Sequence, residues 1–182
     1  MKARHHWLFF GGLFVIVILD QLTKHWVATS LTPYVTTPIT RWLEPVLVMT
    51  YVTNTGVVFG ILPQFGNIFT VLVMLVIVMV FIVRRSLKQV PVWVHLALGI
   101  ITGGAFGNLI DRLLRGSVVD FLDFNFWPMQ QWGIFNIADA AVVTGVTILL
   151  LDSLILNPDL YTDNEVPVEV TDPIPTDEGL HA

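Results

Sequence analysis

VPVWVHLALGIITGGAFGNLI, residues 90–110, is an uncharged stretch of 21 residues that decides the fold class. A helix rises about 1.5 Å per residue, so about 20 apolar residues cross the roughly 30 Å hydrocarbon core of a bilayer. Three further apolar runs cover residues 7–27, 67–83 and 135–156. The sequence therefore predicts an α-helical integral membrane protein with four transmembrane helices. The quoted stretch also carries small residues that favour close helix packing in lipid, namely Gly99, Gly103, Gly104 and Gly107.

The composition agrees with a membrane protein and excludes several other classes. Hydrophobic residues make up 54% of the 182 residues and charged residues 13%, about half of the roughly 25% typical of soluble domains. The chain has no cysteine, which excludes disulfides, thiolate metal sites and cysteine nucleophiles. The five histidines are scattered without ligand spacing, so we expect no metal and no other cofactor. The basic residues are too few and too dispersed to bind nucleic acid.

The charged residues divide the chain into a body and a tail. Residues 1–156 carry 9 basic and 7 acidic residues, whereas residues 157–182 carry 7 acidic residues and no basic ones. The tail is also rich in proline and poor in apolar residues, a composition typical of disorder. We therefore expect a membrane domain over residues 1–156 and an acidic, disordered tail over residues 157–182.

Basic residues in short flanking segments indicate the orientation of the predicted helices. With four spans, they all fall on one side of the membrane, so both termini are predicted to be cytoplasmic; they are Lys2, Arg4, Arg84, Arg85 and Lys88. The external segments are then residues 28–66 and 111–134. Apolar, β-branched and aromatic residues at positions 41–53 predict a small extracytoplasmic β-containing element in the first segment. The second segment is aromatic and broken by Pro128, which suits the membrane interface.

Polar residues cluster near the external ends of the predicted helices, and this convergence is the main functional signal. Ionisable groups at membrane depth are costly unless they are paired or face a cavity. The cluster comprises Asp20, Lys24, Asn54, Asn108, Asp111, Arg112, Asp120, Asp123, Asn136 and Asp139. Two of its carboxylates, Asp120 and Asp139, could activate water if they are held close together, because one would then stay protonated and the other ionised.

Structural interpretations of the same residues remain open at this point. Asn136 and Asp139 fit a helix N-terminal capping pattern, and Ser117 with Asp120 fits the same template. Asp20 and Lys24, four residues apart, are typical of an ion pair on a helix surface. Arg112 and Arg115 are typical of side chains that extend toward the membrane interface.

A small four-helix proton-coupled transporter is the alternative function, with Asp20, Asp120 and Asp139 as proton relay groups. It predicts acidic residues distributed across the depth of the membrane and an internal repeat. Neither is evident in the sequence. A structural assembly subunit would not need polar residues that converge at one face.

Five strings match a known family in their order and spacing. They are DQLTK at 20–24, NTGVVFG at 54–60, GGAFGNLIDR at 103–112, GSVVDF at 116–121 and FNIAD at 135–139. Together they resemble the bacterial lipoprotein signal peptidase family, also called signal peptidase II, over residues 7–156. The resemblance implies an aspartic endopeptidase of the bacterial inner membrane. It would cleave the signal peptide of a prolipoprotein on the N-terminal side of a diacylglyceryl-modified cysteine.

The resemblance also implies roles for individual residues. Asp120 and Asp139 would be the catalytic pair. Substrate binding would fall to Asn54, Gly56, Asn108, Arg112 and Asn136. Structural support would come from Asp20, Lys24 and Gly104. The implied partners are the lipidated signal peptide and membrane lipid, and we expect a monomer with its active site near the outer face.

Two features depart from the family pattern. Val57 and Val58 stand where the family often carries alanines, so the pocket wall is expected to be narrower. The acidic tail lies outside the family core and receives no role.

Overall fold

The computed structural model describes residues 3–55, 66–87 and 90–158. Four long helices are α1 (Ala3–Ser30), α2 (Gly66–Ser86), α3 (Val92–Arg115) and α4 (Ile137–Leu151). Three strands are β1 (Thr36–Pro38), β2 (Leu47–Asn54) and β3 (Val118–Phe124). A short 3-10 helix covers Met129–Gln131, and a π-helical turn, Asp152–Leu156, continues α4.

Among the described residues, three helical segments are long and apolar enough to cross a membrane: His5–Ser30, Val92–Arg115 and Ile137–Leu156. The structure is therefore a membrane-protein fold of helices with a small sheet. α3 extends beyond its uncharged run to Arg115, and Asp111 in this extension is buried and paired with Lys24 of α1. α3 ends at Gly116, whose φ of 73° is a left-handed conformation that glycine adopts without steric cost.

α3 lies at the centre of the helix packing, in contact with α1, α2 and α4. The glycines of α3 face its neighbours at short range. A Cβ atom on Gly103 would lie 2.7 Å from the Leu13 carbonyl oxygen of α1, and one on Gly104 would collide with the Ala138 carbonyl oxygen of α4. The predicted role of this glycine stripe in helix packing is thus confirmed.

The strands form an antiparallel sheet in the order β1-β2-β3. Thr36 pairs with Thr50, Val52 pairs with Asp120, and the register shifts between Met49 and Val52. The sheet packs on the end of α1 through a buried core of Val27, Val119 and Phe121. It therefore lies at the end of the bundle where α1 and α3 finish and α4 begins.

The predicted β element is confirmed in part. β2 occupies the second half of the 41–53 segment, whereas residues 41–46 form turns. β3 was not expected from the sequence, because Val118, Val119, Asp120 and Phe121 are all buried and so lack the alternation typical of a half-exposed strand. The capping interpretation of Asp120 is wrong, since this residue lies inside a strand.

Candidate active site

Asp120 is a buried carboxylate on the central part of β3, with 2% of its surface exposed. It accepts two hydrogen bonds from side-chain amides. Asn54 Nδ2, at the end of β2, donates to Oδ2 over 3.0 Å, and Asn136 Nδ2 donates to Oδ1 over 2.6 Å. Both oxygens are thereby fixed, and the carboxylate plane is set by residues from two other segments of the chain.

Asp139 lies in the first turn of α4 and is half-buried. Its backbone N–H donates to Asn136 Oδ1 over 3.0 Å, and its Oδ2 accepts from the Asn136 backbone N–H over 3.2 Å. The expected N-terminal capping pattern is therefore present. Asp139 Oδ1 is left facing α3, where it accepts from Asn108 Nδ2 over 2.7 Å.

Two asparagines bridge the carboxylates. Asn136 uses its Oδ1 to cap α4, so its Nδ2 must point to Asp120, and that Nδ2 also lies 3.1 Å from Asn108 Oδ1. Asn108 Oδ1 accepts from Lys24 Nζ over 2.9 Å, so its Nδ2 must point to Asp139. An amide has one accepting and one donating end, so these contacts determine both orientations. The two amides therefore link Asp120 to Asp139 through a chain of hydrogen bonds.

A buried ion network contacts the bridge through Lys24, which donates to Asn108. Lys24 Nζ lies 2.8 Å from Asp20 Oδ2 and 3.0 Å from Asp111 Oδ2, and none of the three side chains is exposed. The expectation of a surface ion pair between Asp20 and Lys24 is therefore wrong. Fully buried charges require such pairing, because each one alone would carry a large desolvation cost.

The same network fixes the backbone on both sides of the carboxylates. Asp20 Oδ1 accepts from the Ala138 N–H over 3.0 Å, next to Asp139. Asp111 Oδ2 accepts from the Val119 N–H over 3.2 Å, next to Asp120. Gly104 contributes indirectly, since it lets α4 approach α3 at Ala138.

Asp111 is a member of the site to which the sequence analysis assigned no role. It accepts from Gln21 Nε2 over 3.3 Å and pairs with Arg115 four residues on, so Arg115 is not a simple interfacial side chain. A hint was available, because Asp111 stands in the string that carries Asn108. Charge pairing between residues as distant in sequence as Lys24 and Asp111 has no local pattern that would reveal it.

The pKa of Asp120 is raised to about 7. Burial is the main cause, because it disfavours the charged form, and the negative charge of Asp139 adds to it. Hydrogen bonds from Asn54 and Asn136 act in the opposite direction. Asp120 therefore keeps its proton to a much higher pH than an exposed carboxyl group would, and Asp139 is the more exposed of the two carboxylates.

The structure brings together seven of the ten predicted site residues in one connected set: Asp20, Lys24, Asn54, Asn108, Asp120, Asn136 and Asp139. Arg112 lies next to this set, in the last turn of α3. Its Nη1 donates to the Asn108 carbonyl oxygen over 3.4 Å, and Asp139 and Asp120 are among the charges that act on it. Gly104 lies in the α3–α4 contact. Gly56, Val57 and Val58 fall outside the described residues. Within the described residues, no group of three or more His, Asp or Glu side chains is placed to hold a metal ion.

The comparisons with known proteins agree on one family. Residues 13–155 match the family model described as signal peptidase (SPase) II. The lipoprotein signal peptidase of Syntrophomonas wolfei is 39% identical over 79% of this chain and 90% of its own length. That of Shewanella piezotolerans is 35% identical over 90% of this chain and 93% of its own. A solved structure described as a bacterial membrane enzyme has a TM-score of 0.69 at 30% identity, and the match covers 85% of this chain and 92% of that one.

Proposed function

This chain belongs to the signal peptidase II family, and we propose that Asp120 and Asp139 form its catalytic pair. It is a membrane protease that removes signal peptides from prolipoproteins. The observation that carries the catalytic assignment is the pair of carboxylates joined through Asn136 and Asn108. The alternative function, a proton-coupled transporter, is not supported by these relatives.

The proposed chemistry is general acid–base catalysis by the two carboxylates. Ionised Asp139 takes a proton from a water molecule, whose oxygen bonds to the scissile carbonyl carbon. Protonated Asp120 gives its proton to the carbonyl oxygen, which forms a neutral tetrahedral diol. The carbon–nitrogen bond then breaks as Asp139 returns its proton to the leaving nitrogen, and one diol hydroxyl returns a proton to Asp120. Both carboxyl groups end in their starting protonation states, which completes the cycle. None of these steps uses a metal or a covalent intermediate.

The asparagines of the site are proposed to hold the catalytic pair as well as the substrate. Asn54 and Asn136 orient Asp120, and Asn108 orients Asp139, so these amides already have partners on the protein. Arg112 is proposed as the donor to substrate carbonyl oxygens, because its planar guanidinium can form two parallel hydrogen bonds. Gly56 is proposed to allow close approach of the substrate backbone.

The proposed setting is the bacterial inner membrane, with both termini in the cytoplasm. α2 serves as the fourth span, since its 21 residues reach about 32 Å and end with Arg84 and Arg85. The small sheet and the catalytic pair then lie at the outer face. There the scissile bond, on the N-terminal side of a diacylglyceryl-modified cysteine, can sit at headgroup level while the acyl chains stay in lipid.

Two further proposals concern the rest of the assembly. The chain is proposed to act as a monomer, because all seven connected site residues come from one chain. The acidic tail is proposed to have no part in cleavage, and truncation after Asn157 is expected to leave turnover intact.

The test is cleavage of a synthetic precursor peptide by the full chain in mild detergent. The diacylglyceryl-modified peptide should be cut once, and mass spectrometry should place the cut directly before the modified cysteine. The same peptide without the lipid is the control and should remain intact. Equal cleavage of both peptides, or a cut at another bond, would contradict the proposed substrate.

A further inference from the structure

Arg84 is a buried charge at the end of the helix bundle opposite the catalytic pair. It lies in the last turn of α2 and is only 6% exposed, whereas the neighbouring Arg85 is exposed. Within the described part of the chain, the ion pairs are those of Lys24 and Arg115, and none involves Arg84. A buried guanidinium without a carboxylate is costly, which points to a negative partner beyond the described residues.

The residues that contact Arg84 are a histidine and two aromatic rings. Its guanidinium carbon lies 4.0 Å from the ring centre of Phe9 and 4.9 Å from that of Phe10. Arg84 Nη2 contacts His6 Nδ1, and since arginine can only donate, this nitrogen of His6 is the acceptor. The proton of neutral His6 is then on Nε2, and His6 is exposed, so a second donor is available beside the guanidinium.

Several polar atoms around Arg84 are buried without a hydrogen-bond partner among the described residues. They are Arg84 Nε, His5 Nδ1 and both ring nitrogens of His95, and the His5 and His95 rings stack with centres 4.5 Å apart. Buried polar groups are nearly always hydrogen-bonded, so such a group of unpaired atoms is unusual. Arg84 Nε can only donate, and one ring nitrogen of a neutral His95 also carries a hydrogen, so at least two of these atoms need an acceptor oxygen that the described residues do not supply.

An apolar groove begins beside this cluster, between α1, α2 and α3. It has a volume of about 260 Å³ and no polar lining, and its walls include Phe10, Phe14, Val17, Phe81, Phe106 and Ile110. Phe10 is one of the two rings that Arg84 approaches, and Phe81 precedes Arg84 by one turn of α2. From Phe10 to Val17 the groove follows α1 for about 10 Å. Headgroup donors and an apolar groove that can hold part of an acyl chain therefore meet at one place.

We propose that this end of the bundle binds one anionic phospholipid, with its phosphate on Arg84 and His6 and part of one acyl chain in the groove. Arg–phosphate contacts are strong, charge-assisted hydrogen bonds, and lipid of the cytoplasmic leaflet carries the required negative charge. The site is separate from peptide cleavage, because none of its residues belongs to the catalytic network.

Lipid retention by the full chain in dodecyl maltoside micelles tests the proposal by native mass spectrometry. Dioleoyl phosphatidylglycerol and dioleoyl phosphatidylcholine share their tails and differ in headgroup charge. We expect on the order of 10-fold tighter retention of the phosphatidylglycerol. Inorganic phosphate at equal concentration should not displace it, because phosphate cannot use the groove. Equal retention of both lipids, or displacement by phosphate, would overturn the proposal, and neither comparison requires a variant.

Two matched pairs of variants locate the site. Arg84→Gln should abolish the preference for phosphatidylglycerol, whereas Arg85→Gln should keep it. Val17→Trp should fill the groove and weaken retention, whereas Val15→Trp, on an exposed part of α1, should not. Equal effects within either pair would mean that the lipid is held by general surface charge or general apolar surface, and would refute the assigned site.

Discussion

Asp120→Asn should abolish turnover and at the same time change how the stability of the protein depends on pH. Asparagine has nearly the same shape as aspartate but cannot exchange a proton, so we expect activity to fall at least about 100-fold. Asp139→Asn should be equally inactive. The double variant should be little worse than either single one, because groups that act as a unit are not additive.

The stability change follows from the raised pKa of Asp120, about 7 against a reference of 3.8. A raised carboxyl pKa means that the folded state holds the proton more tightly than the unfolded state. The contribution of Asp120 to stability is therefore fully present below pH 3.8 and is lost as the pH rises through about 7. Since one pKa unit corresponds to about 1.36 kcal/mol, the loss between pH 5 and pH 8 is about 3 kcal/mol. Asp120→Asn removes this pH dependence.

Asparagine also loses one favourable contact at this position. Both oxygens of Asp120 accept from amides, whereas the side chain introduced by Asp120→Asn would offer one oxygen and one N–H₂ group. Asn136 cannot turn its amide to compensate, because its Oδ1 caps α4. The lost bond costs about 1–2 kcal/mol. The variant should thus be less stable than the original near pH 5 and more stable near pH 8.

Thermal unfolding in mild detergent at pH 5 and pH 8, together with cleavage of lipidated precursor, measures both effects. Asp123→Asn is the control, since Asp123 accepts from Thr50 Oγ1 over 2.8 Å and an asparagine oxygen can accept the same bond. A folded Asp120→Asn or Asp139→Asn protein with near-normal turnover would refute the catalytic assignment. So would an inactive Asp123→Asn protein. An unchanged pH dependence of unfolding would refute the raised pKa.

Four further predictions concern pH, substrate contact, helix packing and orientation. Because Asp120 is proposed to act as the acid with a pKa of about 7, kcat should fall about 10-fold per pH unit at higher pH, and a flat profile from about pH 6 to 9 would contradict this role. Arg112→Lys keeps the charge but loses the planar fork, so kcat/KM should drop; full activity at subsaturating substrate would exclude the pocket role. Gly104→Ala should lower stability by about 1–3 kcal/mol, as judged by its melting temperature, because its Cβ would meet the Ala138 carbonyl. Gly11→Ala should leave the melting temperature unchanged, because an added Cβ would have no atom within 4 Å. Equal melting temperatures of the Gly104→Ala and Gly11→Ala proteins would contradict close packing at Gly104. A reporter fused after residue 160 should be cytoplasmic and one inserted at Gln130 external, and the reverse would place the site at the inner face.

Much of the helical part could be predicted from sequence because membrane helices have a simple physical requirement. A long uncharged run in lipid must form a helix, because only then are its backbone N–H and C=O groups hydrogen-bonded to one another. α3 therefore follows from residues 90–110, and its close contacts follow from the glycines in that run. The helix ends were less predictable, since α3 continues past its uncharged run through the buried Asp111 to Arg115. Whether a charge ends a span depends on its partner, and the partner of Asp111 is Lys24 on another helix.

β3 was not predictable for a related reason. β3 packs on α1 and pairs with β2, and its first four residues are all buried. Its sequence therefore does not alternate between apolar and polar residues. Asp120 in this run resembles a helix cap when it is judged by nearby residues alone. Its actual partners, Asn54 and Asn136, lie 66 and 16 positions away, and only the fold brings them together.

The start of α4 shows why capping and catalysis were two interpretations of the same residues. Asn136 and Asp139 do form the capping box, and that box uses the Asn136 oxygen and one Asp139 oxygen. The capping bonds leave the Asn136 Nδ2 and the second Asp139 oxygen pointing into the site, where they contact Asp120 and Asn108. The cap therefore fixes the orientation of both groups before any substrate binds. A local pattern that is common in stable helices here sets the geometry that the proposed chemistry requires.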